Sequence, residues 1–106
     1  MRKLNLENYT LEARNEKNEI VNIPYDMKGS LIGVLFHPDL KLSGRELLLR
    51  DKLANKINDA ENEILLEETD YSKMKLAVES IDGYTRNDVE FVRRVLDAEE
   101  IEVKEK

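Results

Sequence analysis

The sequence is notable first for what it lacks. Its 106 residues include no cysteine and no tryptophan, a single histidine and only two prolines. Without cysteine, neither a disulfide framework nor a thiolate metal site can form, and nothing calls for an oxidising compartment. No apolar run approaches the roughly 20 residues of a membrane-spanning helix, and the N-terminus lacks the apolar core of a signal peptide. We therefore expect a cytoplasmic protein that does not bind membranes.

The composition is that of a folded protein with a highly charged surface. Hydrophobic residues make up 41% of the chain and charged residues 38%. The apolar residues follow helix and strand periodicities, which argues against disorder. A chain of this length can bury one core but not two. We expect residues 1–106 to form a single compact domain.

Negative charge is concentrated in the second half of the chain. Residues 1–59 carry ten basic and nine acidic side chains (net +1), whereas residues 60–106 carry seven and fourteen (net −7). A net negative protein is poorly suited to neutralise phosphates, so nucleic-acid binding is not expected. A basic protein surface is the better electrostatic match.

The N-terminal quarter has the pattern of a β-hairpin. Alternating apolar residues on either side of a turn-like segment predict strands within residues 3–25. Leu4 and Leu6 have the opposite parity to Tyr9. Either a bulge therefore lies near Glu7, or the first residues form a separate edge.

The rest of the chain is predicted to be mainly helical. Ser43 and Glu46 have the spacing of a capping box. An apolar stripe follows, formed by Leu49, Leu53, Ile57 and Ala60 and widened by Leu47 and Ala54. Helices are expected over residues 27–36, 43–57, 71–81 and 85–98, a strand over 63–67, and a short strand or frayed tail over 101–106. This order, β-β-α-α-β-α-α with a possible C-terminal β, predicts an α+β domain with about four helices covering a small, mostly antiparallel sheet.

No residue pattern indicates catalysis or a cofactor. His37 is isolated and is expected to be a helix-end or turn residue. The acidic segment 59–70 has some of the spacing of an EF-hand loop, but Ile64 stands where that loop needs glycine. We expect a solvated acidic border around a strand, with divalent-ion binding as the alternative. The prediction is a protein without enzymatic activity, cofactor or metal.

Two leucines break otherwise clean amphipathic helices. Leu48 and Leu76 fall on the polar sides of their helices, where together they could form part of a protein interface. Alternatively, the sheet covers Leu48 and a neighbouring helix covers Leu76. Arg93 and Arg94 form a basic spot that either belongs to the interface or makes local salt bridges with Glu90.

Two hypotheses for function follow. The first is a protein-binding or assembly module that self-associates or binds a protein partner, of the kind found among small accessory proteins of bacteria and phages. The second is an acidic inhibitor or regulator that mimics nucleic acid toward a basic protein cleft. A mimic would need its carboxylates on one continuous surface, and the basic residues interleaved among them weaken this hypothesis.

Overall fold

The computed structural model describes residues 1–101, which form five strands and four helices. The strands are β1 (Arg2–Asn5), β2 (Tyr9–Arg14), β3 (Ile20–Tyr25), β4 (Glu63–Leu66) and β5 (Glu99–Glu100). The helices are α1 (Met27–Leu35), α2 (Gly44–Asp59), α3 (Glu68–Ser80) and α4 (Val89–Leu96). The predicted α+β class with an N-terminal hairpin is confirmed. None of the helices in this described part is both long enough and apolar enough to cross a membrane.

The strands form two antiparallel sheets. β2 and β3 form the hairpin, while β1 lies in the centre of a second sheet with the order β4-β1-β5. The opposite parity of Leu4 and Leu6 therefore reflects a separate strand, not a bulge in the hairpin. Leu4 lies opposite Ile64 in this second sheet. Both leucines are buried in the core.

The C-terminal strand begins earlier than predicted. β5 is formed by Glu99 and Glu100, and Lys3 lies opposite Glu99. The amide of Ile101 donates to the carbonyl of Met1 over 2.7 Å. The rest of the predicted segment 101–106 lies outside the described residues.

Helix α1 packs against both α2 and α3, and α3 also packs against α4. The apolar character of residues 31–36 predicts deep burial, and Leu31 and Leu35 are indeed fully covered. The largest fully buried side chains come from β1, β4 and all four helices: Leu4, Met27, Leu31, Leu35, Leu53, Ile57, Leu66, Met74, Val78, Phe91 and Val95.

The helix ends follow local capping signals with small differences. The Ser43 hydroxyl accepts a hydrogen bond from the Glu46 amide at the start of α2, which is one half of the predicted capping box. The other half does not form, because the Glu46 carboxylate binds Lys73 and Arg50. Thr85 and Asp88 form a capping box, but the chain first makes a 3₁₀ turn at Arg86–Asp88 before α4 begins. Helix α3 begins at Glu68, three residues before the predicted start.

Candidate functional site

The N-terminal half of α2 exposes three consecutive leucines. The exposed fractions are 47% for Leu47, 67% for Leu48 and 41% for Leu49. The alternative in which the sheet covers Leu48 is therefore wrong. The prediction that Leu47 and Leu49 lie in the apolar stripe facing the core is also wrong. The buried residues of α2 are Arg50, Leu53, Ala54 and Ile57.

Arg50 explains why the leucines point outward. Its side chain is only 6% exposed, and its guanidinium donates to the carbonyl of Leu35 over 3.0 Å and to Glu46 Oε1 over 3.2 Å. Leu35 is the last residue of α1, where carbonyl groups have no partner within the helix. Helix α1 has no basic residue in its own last turn. Arg50 therefore caps α1 from the neighbouring helix.

A shallow groove lies beside the exposed leucines. It is lined by Arg45, Leu48, Leu49 and Lys52 and has a volume of about 390 Å³. We call these four residues the leucine face. It combines two apolar side chains with two positively charged ones. Apolar centres with charged or polar rims are typical of protein interfaces.

Glu46 fixes the leucine face to the rest of the molecule. Its carboxylate accepts hydrogen bonds from Lys73 Nζ at 2.9 and 3.1 Å and from Arg50 at 3.2 Å. It therefore links α2 to α3. The hydrogen bond from Lys73 and then that from Arg50 hold the pKa of Glu46 below its ordinary value, although burial acts in the opposite direction.

This lowered pKa makes the interaction of Glu46 with Lys73 and Arg50 sensitive to acid. A carboxylate with a lower pKa in the folded state than in the unfolded state stabilises the fold above its unfolded pKa, and this contribution is lost as the pH falls through the folded value. When the pH is lowered from neutral to below about 4.3, the Glu46→Gln variant should therefore lose less stability than the wild type. Urea unfolding at a series of pH values measures this difference. Lys73→Met should also make stability depend less on pH. If the wild type and both variants show the same dependence of stability on pH, the proposed role of Glu46 is contradicted.

Leu76 is also exposed, at 61%, on α3. The alternative in which a neighbouring helix covers it is therefore wrong. It is not among the residues that line the groove beside Leu48. Leu48 and Leu76 are therefore both exposed, but Leu76 does not line the groove beside Leu48.

Arg93 and Arg94 form the predicted local salt bridges. Both guanidinium groups lie 3.7 Å from the carboxylate of Glu90. Arg94 also donates to the carbonyl of Glu7 over 2.6 Å and lies over the ring of Tyr9. Its side chain is 16% exposed, whereas that of Arg93 is 61% exposed. Arg94 therefore anchors α4 to the start of the hairpin, and only Arg93 remains open to a partner.

His37 lies in an open cleft of about 390 Å³ that also contains Tyr25, Tyr84 and Asp88. Its Nδ1 accepts a hydrogen bond from the Asp39 amide over 3.1 Å, so the proton of the neutral ring is on Nε2. The carboxylate of Asp88 accepts hydrogen bonds from Tyr25 and Thr85. These contacts give His37 its predicted role at a turn and give Asp88 a structural one.

Sequence reasoning missed the tyrosine cluster that holds the hairpin. The rings of Tyr9 and Tyr25 stack with centroids 4.6 Å apart, and the Tyr25 hydroxyl donates to Asp88 Oδ1 over 2.6 Å. Burial and the bond to Asp88 raise the pKa of Tyr25. Burial alone would raise the pKa of Asp88, but the hydrogen bonds from Tyr25 and Thr85 outweigh it and lower that pKa. The alternation of the tyrosines predicts strands, but nothing local indicates a partner 63 residues away.

The acidic segment 59–70 forms β4 and the start of α3 rather than a loop. Several of its carboxylates pair with cations from elsewhere, including Glu63 with Lys3 and Asp70 with Lys56. Within residues 1–101, no three carboxylate or histidine side chains converge as a metal site would require.

Comparisons of the chain with protein-family models, with curated proteins and with solved structures found no match. Inference about function therefore rests on the residues of this chain.

Proposed function

We propose that this protein is a non-enzymatic protein-binding or assembly module that uses the leucine face of α2. The observation that carries the proposal is the exposure of Leu48 and Leu49 beside one groove, on a helix whose inward position is taken by Arg50. Single exposed leucines are ordinary, but contiguous apolar patches on soluble proteins commonly mark interaction sites. Burying this face against a partner would stabilise the complex.

The charge around the leucine face favours an acidic partner surface. Arg45 and Lys52 both line the groove. A partner that offers apolar contacts surrounded by carboxylates would complement them. Residues 60–106 of this chain have a net charge of −7. A second copy of the chain is therefore one candidate partner.

The nucleic-acid mimic has less support. Some carboxylates in the second half of the chain form salt bridges with basic side chains from the first half, for example Glu68 with Arg2 and Asp70 with Lys56. Mixed charges of this kind interrupt the continuous negative surface that a mimic needs.

Leu48→Asp tests the proposal because it places a charge at the most exposed position of the leucine face. Binding should weaken roughly tenfold or more, since charges are depleted from the cores of interfaces. Sedimentation measures self-association, and a pull-down with the tagged full chain from its native host measures partner capture. The comparison is made against the wild type.

Leu65→Asp is the matched control, because Leu65 is 47% exposed but lies on β4. It should leave self-association and partner capture unchanged. Leu76→Asp reports whether α3 contributes to the same interface. If Leu48→Asp binds as the wild type does, or if Leu65→Asp loses as much, the leucine face is not the interface.

A further inference from the structure

The hairpin is the least covered part of the molecule. Neither β2 nor β3 contains a buried residue, and within residues 1–101 neither strand pairs with any strand except the other. An isolated two-stranded hairpin is at best marginally stable in water. The radius of gyration of 15.4 Å exceeds the roughly 13 Å expected for a compact domain of this size. The molecule is therefore more extended than its length requires.

One face of the hairpin is apolar along its whole length. The strand register places Tyr9 opposite Tyr25, Leu11 opposite Ile23 and Ala13 opposite Val21 on this face. The tyrosines rest on the core, but the apolar row continues outward, where Ile23 is 47% exposed. An exposed sheet edge presents unpaired amides and carbonyls that can pair with a strand of another chain.

The two edges of the hairpin differ in their ability to accept a strand. The Asn15 amide donates to the Glu19 carbonyl over 3.0 Å, so the odd-numbered residues of β2 form the hydrogen-bonded pairs of the ladder. The amides and carbonyls of Thr10, Glu12 and Arg14 must then point away from β3. On the opposite edge, Pro24 occupies an equivalent outward position and has no amide hydrogen to donate. Strand β2 is therefore the open edge.

The charges on the open edge of β2 complement those on the same edge of a second copy. Two antiparallel copies of β2 can form hydrogen bonds only if outward-facing residues meet outward-facing residues. With Ala13 on a two-fold axis, Glu12 of each copy lies opposite Arg14 of the other. This pairing occurs twice by symmetry. A register centred on Glu12 would instead oppose two like charges, which destabilises a sheet.

From this edge we infer that a second copy of the chain pairs with β2 across a two-fold axis, forming a four-stranded antiparallel sheet. The occupant is the same strand in another molecule, and the determinants are Glu12 and Arg14. The resulting sheet would place the apolar faces of both hairpins on one side. This interface is separate from the leucine face of α2 and does not depend on it.

Charge reversal tests the inference on the full chain. Glu12→Arg and Arg14→Glu each bring like charges together twice, so each should weaken the dimer roughly tenfold to a hundredfold. The double variant, Glu12→Arg with Arg14→Glu, restores opposite charges and should recover the dimer. Sedimentation equilibrium over a wide concentration range measures the dissociation constant. Circular dichroism checks that each variant folds, as expected for two exposed positions.

Proline scanning of the edges provides a second test that does not depend on charge. Glu12→Pro removes an outward amide of β2 without removing a hydrogen bond within the hairpin, and should abolish the dimer. Asn22→Pro makes the same change on β3, the edge that already contains Pro24, and should leave the dimer intact. Amide exchange adds a direct readout, since the amides of Glu12 and Arg14 should be protected only in the dimer.

Three results would overturn the inference: a wild-type chain that is monomeric at all concentrations, a double charge reversal that does not recover the dimer, or equal effects of the two proline variants. Leu48→Asp separates this interface from the leucine face. It should leave the protection of the Glu12 amide unchanged. Self-association through the leucine face is measured by adding Leu48→Asp to the Glu12→Pro chain, in which β2 cannot pair.

Discussion

Replacing Arg50 with alanine should lower the free energy of unfolding by about 2–4 kcal/mol, a large fraction of the roughly 5–15 kcal/mol typical of a small domain. The Arg50 side chain is almost completely buried, and its guanidinium supplies the hydrogen bond that the Leu35 carbonyl receives at the end of α1. Alanine would leave this carbonyl buried without a partner. It would also remove the packing of the arginine stem and one of the two cations that hold Glu46.

Denaturant unfolding followed by circular dichroism measures the loss. Arg45→Ala is the matched control, because Arg45 is an exposed arginine on the same helix, and it should change stability by no more than about 0.5 kcal/mol. Arg50→Lys should fall between the two, since a lysine keeps the charge but cannot reach both acceptors with a planar group. A loss below about 1 kcal/mol for Arg50→Ala would contradict the capping role, because an orphaned buried carbonyl alone costs that much.

The same residue explains why the leucine face was only partly predictable. Periodicity marks Leu48 as an outlier, and its exposure follows. Nothing in the local sequence indicates that Leu49 is exposed and that Arg50 faces the core instead. That arrangement depends on the free carbonyl of Leu35, which lies on another helix. An assignment based on the residue pattern places leucine in the core and arginine on the surface.

Other features of the fold were also predictable where they depend on residues close in sequence, and not where they depend on residues far apart in sequence. The Ser43 cap and the two alternating strands of the hairpin depend on residues close in sequence, and the sequence predicts them. The pairing of β1 with β4 joins residues about sixty positions apart, so it cannot be read from alternation. The hydrogen bond of Tyr25 to Asp88 spans a similar separation and was missed for the same reason.

The distant contacts also determine what the hairpin can do. Tyr9 and Tyr25 attach the base of the hairpin to the 3₁₀ turn Arg86–Asp88 and to the start of α4, whereas the outer half of the hairpin has no buried residue. A strand pair held firmly at one end and uncovered at the other presents an ordered edge at little entropic cost to a partner. The aromatic cluster at the base is therefore a condition for pairing through β2.

Truncating Phe91 should have the largest effect on this attachment. Phe91 is 1% exposed, and its ring lies 6.1 Å from that of Tyr25 and 6.5 Å from that of Tyr84, measured between centroids. Phe91→Ala should cost about 3–5 kcal/mol, because it removes a buried aromatic side chain and leaves a cavity. Denaturant unfolding measures the loss. Val89→Ala on the same helix, at a position 49% exposed, should change stability by no more than about 0.5 kcal/mol.

The loss should also be uneven across the structure, because Phe91 lies between α4 and the base of the hairpin. Its amide donates to the Tyr9 hydroxyl over 3.2 Å, so a shift of α4 into the cavity would disturb both tyrosines. Amide exchange in Phe91→Ala should therefore accelerate more in β2 and β3 than in β1 and β4. Equal acceleration in both sheets would mean that the cluster supports the whole core without attaching the hairpin in particular. The hairpin would then depend on its own ladder for order.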